Sequence, residues 1–223
     1  MIDNVVLVHG AWVDGSSWNR VIPLLEARGM TTLAAQLSLR SLSEDVATTV
    51  RALERIGGPA ILVGHSYGGA VISVAGAESP HAKALVFVAA YAPDAGQAVG
   101  ALNETLPPMP MAAHIQVSGD ALWIARQGFR DAFAHDLPAT EADLLAVTQK
   151  PLAFAALGEP LRAAAWANLP SAYVVSEFDR VISPDAQRLF AAKLNARTSS
   201  VASGHLSPAS NPDAIVEAIM SLR

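Results

Sequence analysis

The stretch Ile-Leu-Val-Gly-His-Ser-Tyr-Gly-Gly-Ala-Val-Ile, residues 61–72, constrains this chain more than any other. A short apolar run, of strand length only, stops at a glycine. Small and apolar residues of helical character resume almost at once. The junction reads as a tight strand-to-helix turn that carries a lone serine, and Gly64-His65-Ser66-Tyr67-Gly68 fits the pattern G-x-S-x-G. Side chains at 64 and 68 would crowd such a turn. The turn lifts the Ser66 hydroxyl above the sheet edge, at the start of a helix whose free N–H groups and dipole favour developing negative charge.

The surrounding sequence supplies the sheet. Residues 4–10, 60–65 and 83–91 are continuous apolar runs that read as buried strands, and 31–36 is a shorter one. Between them, 17–29 has helical spacing at Trp18, Val21, Ile22, Leu24 and Leu25, with Pro23 bending it or marking its first turns and Gly29 as its C-cap. Ser41 and Glu44 form a capping box for a helix over about 43–56, and the helix after Ser66 runs through "YGGAVISVAGAE". The tail resumes the rhythm with strands at 171–177 and 198–203. Its helices begin at Ser183-Pro184 and Asn211-Pro212. Alternating strands and helices predict a parallel sheet with helices on both faces, as a single domain.

Residues of about 93–168 break that rhythm. Turn formers dominate 98–113, a hairpin is predicted around Ser118-Gly119-Asp120, and three short helices follow in "GFRDAFAHDL", "TEADLLAVTQ" and "PLAFAALGE". An insertion at the carboxyl end of a parallel sheet lies over the ligand crevice. It is therefore expected to be a small, mostly helical lid on a core of 1–92 and 169–223.

A serine nucleophile needs a base, and the base needs an orienter. Of six histidines, only His205 lies after the last strand, in a loop at the carboxyl edge. His65 adjoins Ser66 and points away from it. His9 reads as a structural hydrogen-bonding residue at the end of the first strand, and His81, His114 and His135 as surface or lid residues. Among the carboxylates after strand 171–177, Asp179 is best placed; Glu177 and Asp185 are neighbours, and Asp94, after strand 83–91, is the alternative acid. The Tyr67 N–H and the Ala11 N–H, from "HGAWVDG", are the expected oxyanion donors.

Composition excludes several other classes. The net charge is −5 and no basic run is present, which gives no electrostatic reason to bind nucleic acid or an anionic membrane. With no cysteine there is no disulfide, thiolate metal site or cysteine nucleophile. No apolar run is long enough to span a bilayer, and the N-terminus lacks the pattern of a secretory signal, so the expectation is a soluble cytoplasmic protein. No P-loop, dinucleotide fingerprint or H-E-x-x-H is found, so no cofactor and no metal are expected.

The motifs "VVLVHGAW", "GHSYGG", "FDRVISPD" and "SGHLSPASNPD" together resemble the α/β-hydrolases. The branch is the compact one that holds plant methylesterases, hydroxynitrile lyases and bacterial carboxylesterases, including pyrethroid-hydrolase-like proteins. The resemblance implies a six-stranded parallel sheet with a small lid, the triad Ser66, Asp179 and His205, and a tendency to form homodimers. Similar lyases carry a lysine directly after the catalytic histidine and a hydroxyl residue after the first His-Gly. This chain has Leu206 and Ala11, which argues for hydrolysis. Relatives with an aspartate nucleophile are disfavoured by Ser66.

A small-molecule ester or lactone, small to medium and hydrophobic, is the expected substrate. Trp12, Leu122, Trp123, Phe129, Phe133, Phe154, Trp166 and Leu206 are the candidate pocket residues, with Arg126 and Arg130 available on the lid. Three rivals stay open. These are a hydroxynitrile lyase, a carbon–carbon bond hydrolase or cofactor-free oxygenase on the same scaffold, and a receptor-like binding protein with a vestigial triad.

Overall fold

The structure is a computed structural model that describes all residues, 1–223. Six strands form one wholly parallel sheet: β1 (Asn4–Val8), β2 (Thr31–Ala35), β3 (Ala60–His65), β4 (Ala82–Val88), β8 (Ser171–Ser176) and β9 (Arg197–Val201). Their spatial order is β2-β1-β3-β4-β8-β9. Three further short strands, β5 (Ile115–Ser118), β6 (Ala121–Ile124) and β7 (Leu152–Ala153), form a separate antiparallel sheet in the insertion.

Period-two alternation divides the core into two layers. Val6, Val8, Leu62, Leu85, Phe87, Tyr173 and Val175 face the larger layer, against α2 (Leu42–Ile56), α3 (Gly68–Glu78) and α8 (Pro184–Lys193). Val5, Leu7, Ile61, Val63, Val86 and Val174 face the other, covered by α1 (Ile22–Glu26) and α10 (Pro212–Met220). Burial on both faces explains why these strands read as unbroken apolar runs.

Two predicted elements differ in detail. Residues 17–29 do not form one helix. A 3₁₀ turn at Gly15–Trp18 precedes α1, which starts at Ile22 because Pro23 fits only a first turn. At α2, Ser41 Oγ accepts the Glu44 N–H at 3.2 Å, but the Glu44 carboxylate turns to Ser38 Oγ, so the box is half made.

The insertion between β4 and β8 mixes the three-stranded sheet with short helices: α4 (Val99–Glu104), α5 (Arg126–Gly128), α6 (Ala139–Thr148) and α7 (Phe154–Gly158). The helix over 99–104 and the strand β7 were not predicted. A last short helix, α9 (Ser207–Ser210), leads into α10. No helix is long and apolar enough to cross a membrane.

Candidate active site

The order β2-β1-β3 reverses the direction of strand addition between β1 and β3, and a crevice opens at their carboxyl ends. The turn after β3 holds Ser66 at φ +54°, a left-handed conformation that costs energy in a non-glycine residue. Backbone bonds pin it: the Ser66 N–H donates to Val88 O at 3.1 Å, and the Ser66 carbonyl accepts from Gly69 N at 3.0 Å and Tyr91 N at 3.1 Å. The flanking glycines are there for clearance. A Cβ on Gly64 would lie 2.6 Å from Gly68 O, and one on Gly68 would lie 2.6 Å from Val8 O.

Three strand ends converge on this serine. His205, after β9, places Nε2 2.9 Å from Ser66 Oγ, and its Nδ1 lies 2.8 Å from Asp179 Oδ2, after β8. All three residues are buried. The Asp179 carboxylate is fully engaged. Oδ1 accepts the Val181 and Ile182 N–H groups at 2.7 and 3.1 Å, and Oδ2 also accepts Gln187 Nε2 at 2.7 Å. An Asp179 so held accepts the Nδ1–H of His205, leaving Nε2 as the acceptor that faces the serine. The alternative acid Asp94 is away from this chain of contacts, paired with Lys193 at 3.2 Å, and Asp185 and Glu177 both engage Arg188.

The other two buried histidines are structural. His65 Nε2 donates to the His205 carbonyl at 2.9 Å, and burial drives its pKa well below the ordinary value. His9 accepts the Leu37 N–H on Nε2 at 3.0 Å, so its proton sits on Nδ1 and goes to Gly10 O at 2.8 Å. Burial lowers its pKa to about 4. Both therefore stay neutral near pH 7. The Tyr67 and Ala11 N–H groups, one on each side of the crevice, have no acceptor within the protein.

Ser66 opens into an inner chamber of about 150 Å³, walled by Trp12, Tyr91, Leu122, Leu152, Leu157 and Val181. Beyond it lies an outer cleft of about 410 Å³, which shares Trp12, Tyr91 and Val181 and adds the stretch Leu106 to Met109. Trp12 is fixed by its indole N–H, which donates to Leu122 O at 3.1 Å. Phe133 stands between Trp12 and His205, with ring centroids 6.0 and 5.4 Å away.

Several expected pocket residues lie elsewhere. Phe129 is one layer back, packed on Phe133 at 5.2 Å. Trp123 alternates with Leu122 along β6 and so lies on the other face of the hairpin, opposite Gln116 and away from the chamber. Phe154 opens α7 at 46% exposure and borders a different surface groove. Trp166 lies beneath Lys193, whose Nζ is 5.2 Å from its ring centroid. Leu206 is buried but faces Leu137, Leu144 and Leu145 of the insertion rather than Ser66. Arg126 and Arg130 both engage Asp143, so neither cation lines the chamber. Sequence reading missed Tyr91, Val99, Leu152, Leu157 and Val181. Of these only Tyr91 was accessible to it, since a residue just past strand β4 must emerge at the same edge as Ser66.

Comparison with known proteins agrees with this fold. The profile described as "Alpha/beta hydrolase family" matches residues 5–218. Methylesterase 8 of Arabidopsis thaliana is 32% identical over 42% of this chain and 40% of its own length. The carbendazim hydrolyzing esterase of Nocardioides sp. (strain SG-4G) is 36% identical over 47% and 49% respectively, so the chain spans less than half of each of these two relatives. The crystal structure of a pyrethroid hydrolase from Sphingobium faniae JZ-2 superposes with a TM-score of 0.83 at 23% identity, over 99% of this chain and 97% of that one, a likeness of fold. A strand-to-helix serine turn at the switch point of a six-stranded parallel sheet and a family profile spanning nearly the whole chain agree: this chain belongs to the alpha/beta hydrolase family.

Proposed function

We propose that the protein is a serine esterase acting through an acyl-enzyme, with Ser66 as nucleophile, His205 as general base and acid, and Asp179 as orienter. The observation that carries this reading is the buried chain Ser66 Oγ, His205 Nε2, His205 Nδ1, Asp179 Oδ2, with contacts of 2.9 and 2.8 Å. The relatives named methylesterase and carbendazim hydrolyzing esterase support it.

As Ser66 Oγ attacks the ester carbonyl, its proton passes to His205 Nε2, and Asp179 stabilises the imidazolium. The carbonyl oxygen becomes an oxyanion between the unpartnered N–H groups of Ala11 and Tyr67. Collapse breaks the bond to the leaving oxygen, which takes the proton back from His205, and the acyl group stays on Ser66. Water then gives a proton to His205 and attacks the acyl carbon. The second collapse frees the acid and returns the proton to Ser66.

The insertion acts as the lid, and the two chambers define the substrate class. A cavity near 150 Å³ lined by apolar side chains holds about one benzene-sized group. The outer cleft falls within the usual range for small-molecule sites, about 300–1,000 Å³, and admits a larger half. No lysine or arginine lines either space, and Glu104 borders the outer one. The substrate is therefore a neutral, hydrophobic ester or lactone with one compact half. No cation is present to hold a departing cyanide, which disfavours the lyase.

A panel of neutral aryl and alkyl esters against their carboxylate-bearing analogues tests this reading. Hydrolysis of the neutral members with weak or absent turnover of the charged ones is expected. Cleavage of a β-diketone or a cyanohydrin in preference to every ester would overturn it.

A further inference from the structure

Ester cleavage as described leaves one buried carboxylate without a role. Asp45 lies in the first turn of α2 and is fully buried. A carboxylate is costly there unless its oxygens are satisfied. Its two oxygens serve two different segments. Oδ1 accepts the Ser38 and Leu39 N–H groups at 2.8 and 3.0 Å and Ser38 Oγ at 3.2 Å. Oδ2 accepts the Tyr67 hydroxyl at 3.1 Å. Burial raises the pKa of the Tyr67 phenol, which therefore stays protonated and donates.

One segment borders the chamber and the other backs one of its walls. Tyr67 follows the strained Ser66 and is the N-cap of α3, yet no side-chain bond caps that end of the helix. The carbonyl of this peptide is held by Gly69 and Tyr91, and the aromatic side chain adds a second tether whose only polar partner is Asp45. On the other side, Leu39 adopts a left-handed φ of +60°, and its carbonyl accepts the Ala153 N–H at 2.9 Å. The adjoining Leu152 is a wall of the inner chamber.

We propose that Asp45 is a positioning residue for the oxyanion site. Through the Tyr67 hydroxyl it fixes the peptide whose N–H faces the developing oxyanion, and through Leu39 it fixes the Leu152 wall. The inference rests on the ester-cleavage reading. Loosening a preorganised donor raises the barrier while leaving ground-state binding nearly intact, so the effect falls on kcat.

The test compares wild type, Tyr67→Phe, Asp45→Asn and Asp45→Ala on an aryl acetate, together with the rate of fluorophosphonate labelling at Ser66. Tyr67→Phe keeps the ring and the Ser38 and Leu39 bonds but removes the tether. Its kcat and labelling rate are expected to fall about 10-fold, with KM within about twofold, since a misplacement of 1 Å can cost about 10²-fold. Asp45→Asn keeps Oδ1 for the loop and presents an amide to the Tyr67 oxygen. It is expected to recover most of what Asp45→Ala loses, at equal folded fraction by circular dichroism. A Tyr67→Phe protein within twofold of wild type in both rates would overturn the proposal, as would Asp45→Asn no faster than a folded Asp45→Ala. A wild-type protein that neither cleaves esters nor labels at Ser66 would instead remove the ester-cleavage reading, and this inference with it.

Discussion

The sheet edge and the insertion build the same chamber by different means. At the sheet edge each candidate catalytic group sits on a turn leaving a parallel strand, and its polar atoms are held by short buried hydrogen bonds, as in the four contacts to the Asp179 carboxylate. In the insertion the chamber walls are apolar side chains on short elements. Its ion pairs lie on the outside, as between Arg130 and Asp143. Chemistry that depends on sub-ångström placement sits on the rigid layer. The layer that needs only shape is free to vary, and this difference orders what substitutions should do.

The largest effect belongs to the edge. Ser66→Ala should lower kcat/KM for an aryl ester by on the order of 10⁶, with the fold intact by circular dichroism. Asp179→Asn should cost about 10⁴. Its amide, facing His205 Nδ1, forces the proton onto Nε2 and removes the acceptor for the Ser66 hydroxyl. A loss below about tenfold for Asp179→Asn would break the contrast, because the turn after β8 would then be no more demanding than the insertion.

A smaller effect comes from the buried histidines behind the edge. A histidine of pKa about 4 when folded, against 6.5 unfolded, binds fewer protons in the folded state between those values. Stability is therefore complete above about pH 6.5 and falls as pH drops toward 4, by about 3 kcal/mol for His9. His65 acts in the same direction. Urea unfolding from pH 7 to 4.5 should show this slope, and His9→Gln should flatten it. An unchanged slope in His9→Gln would place the acid sensitivity elsewhere.

Insertion changes should redirect the reaction more than stop it. Leu152→Ala enlarges the inner chamber and should shift the naphthyl-to-phenyl preference in one half of the ester by about 10-fold, as one pocket contact typically does. Rates that fall equally for both esters would mean that Leu152 supports the edge rather than shaping the chamber. Smallest of all, Asp143→Asn removes surface ion pairs to Arg126 and Arg130 and should leave the midpoint of chemical denaturation nearly unchanged, without altering ester preference.

The same contrast explains what could be read from the sequence. Strand ends announce themselves through apolar runs that stop at glycine or at a polar turn, so Ser66 and Asp179 were legible as residues of one sheet edge, whereas His205 follows a polar edge strand and stood out only by its place after the last strand. Tyr91 could have been added on that logic. The insertion gave no such signal. Leu122 and Trp123 look equally suited to a pocket, but a strand sends neighbours to opposite faces, and pairing with β5 and β7 decides which turns inward. Phe154 and Trp166 stand out in the sequence by size alone. Where they point depends on packing against α2, α3 and α8 that local sequence does not encode. Leu152 and Leu157 became walls only through tertiary contacts of the kind that Leu39 makes with Ala153.

The claim on which all of this stands is that Ser66, activated by His205, is a nucleophile. Fluorophosphonate labelling followed by peptide mass spectrometry measures that directly. A single adduct on Ser66 in the wild type, much slowed in His205→Gln, is the predicted result. No adduct, or an adduct on another serine that is indifferent to His205→Gln, would contradict it.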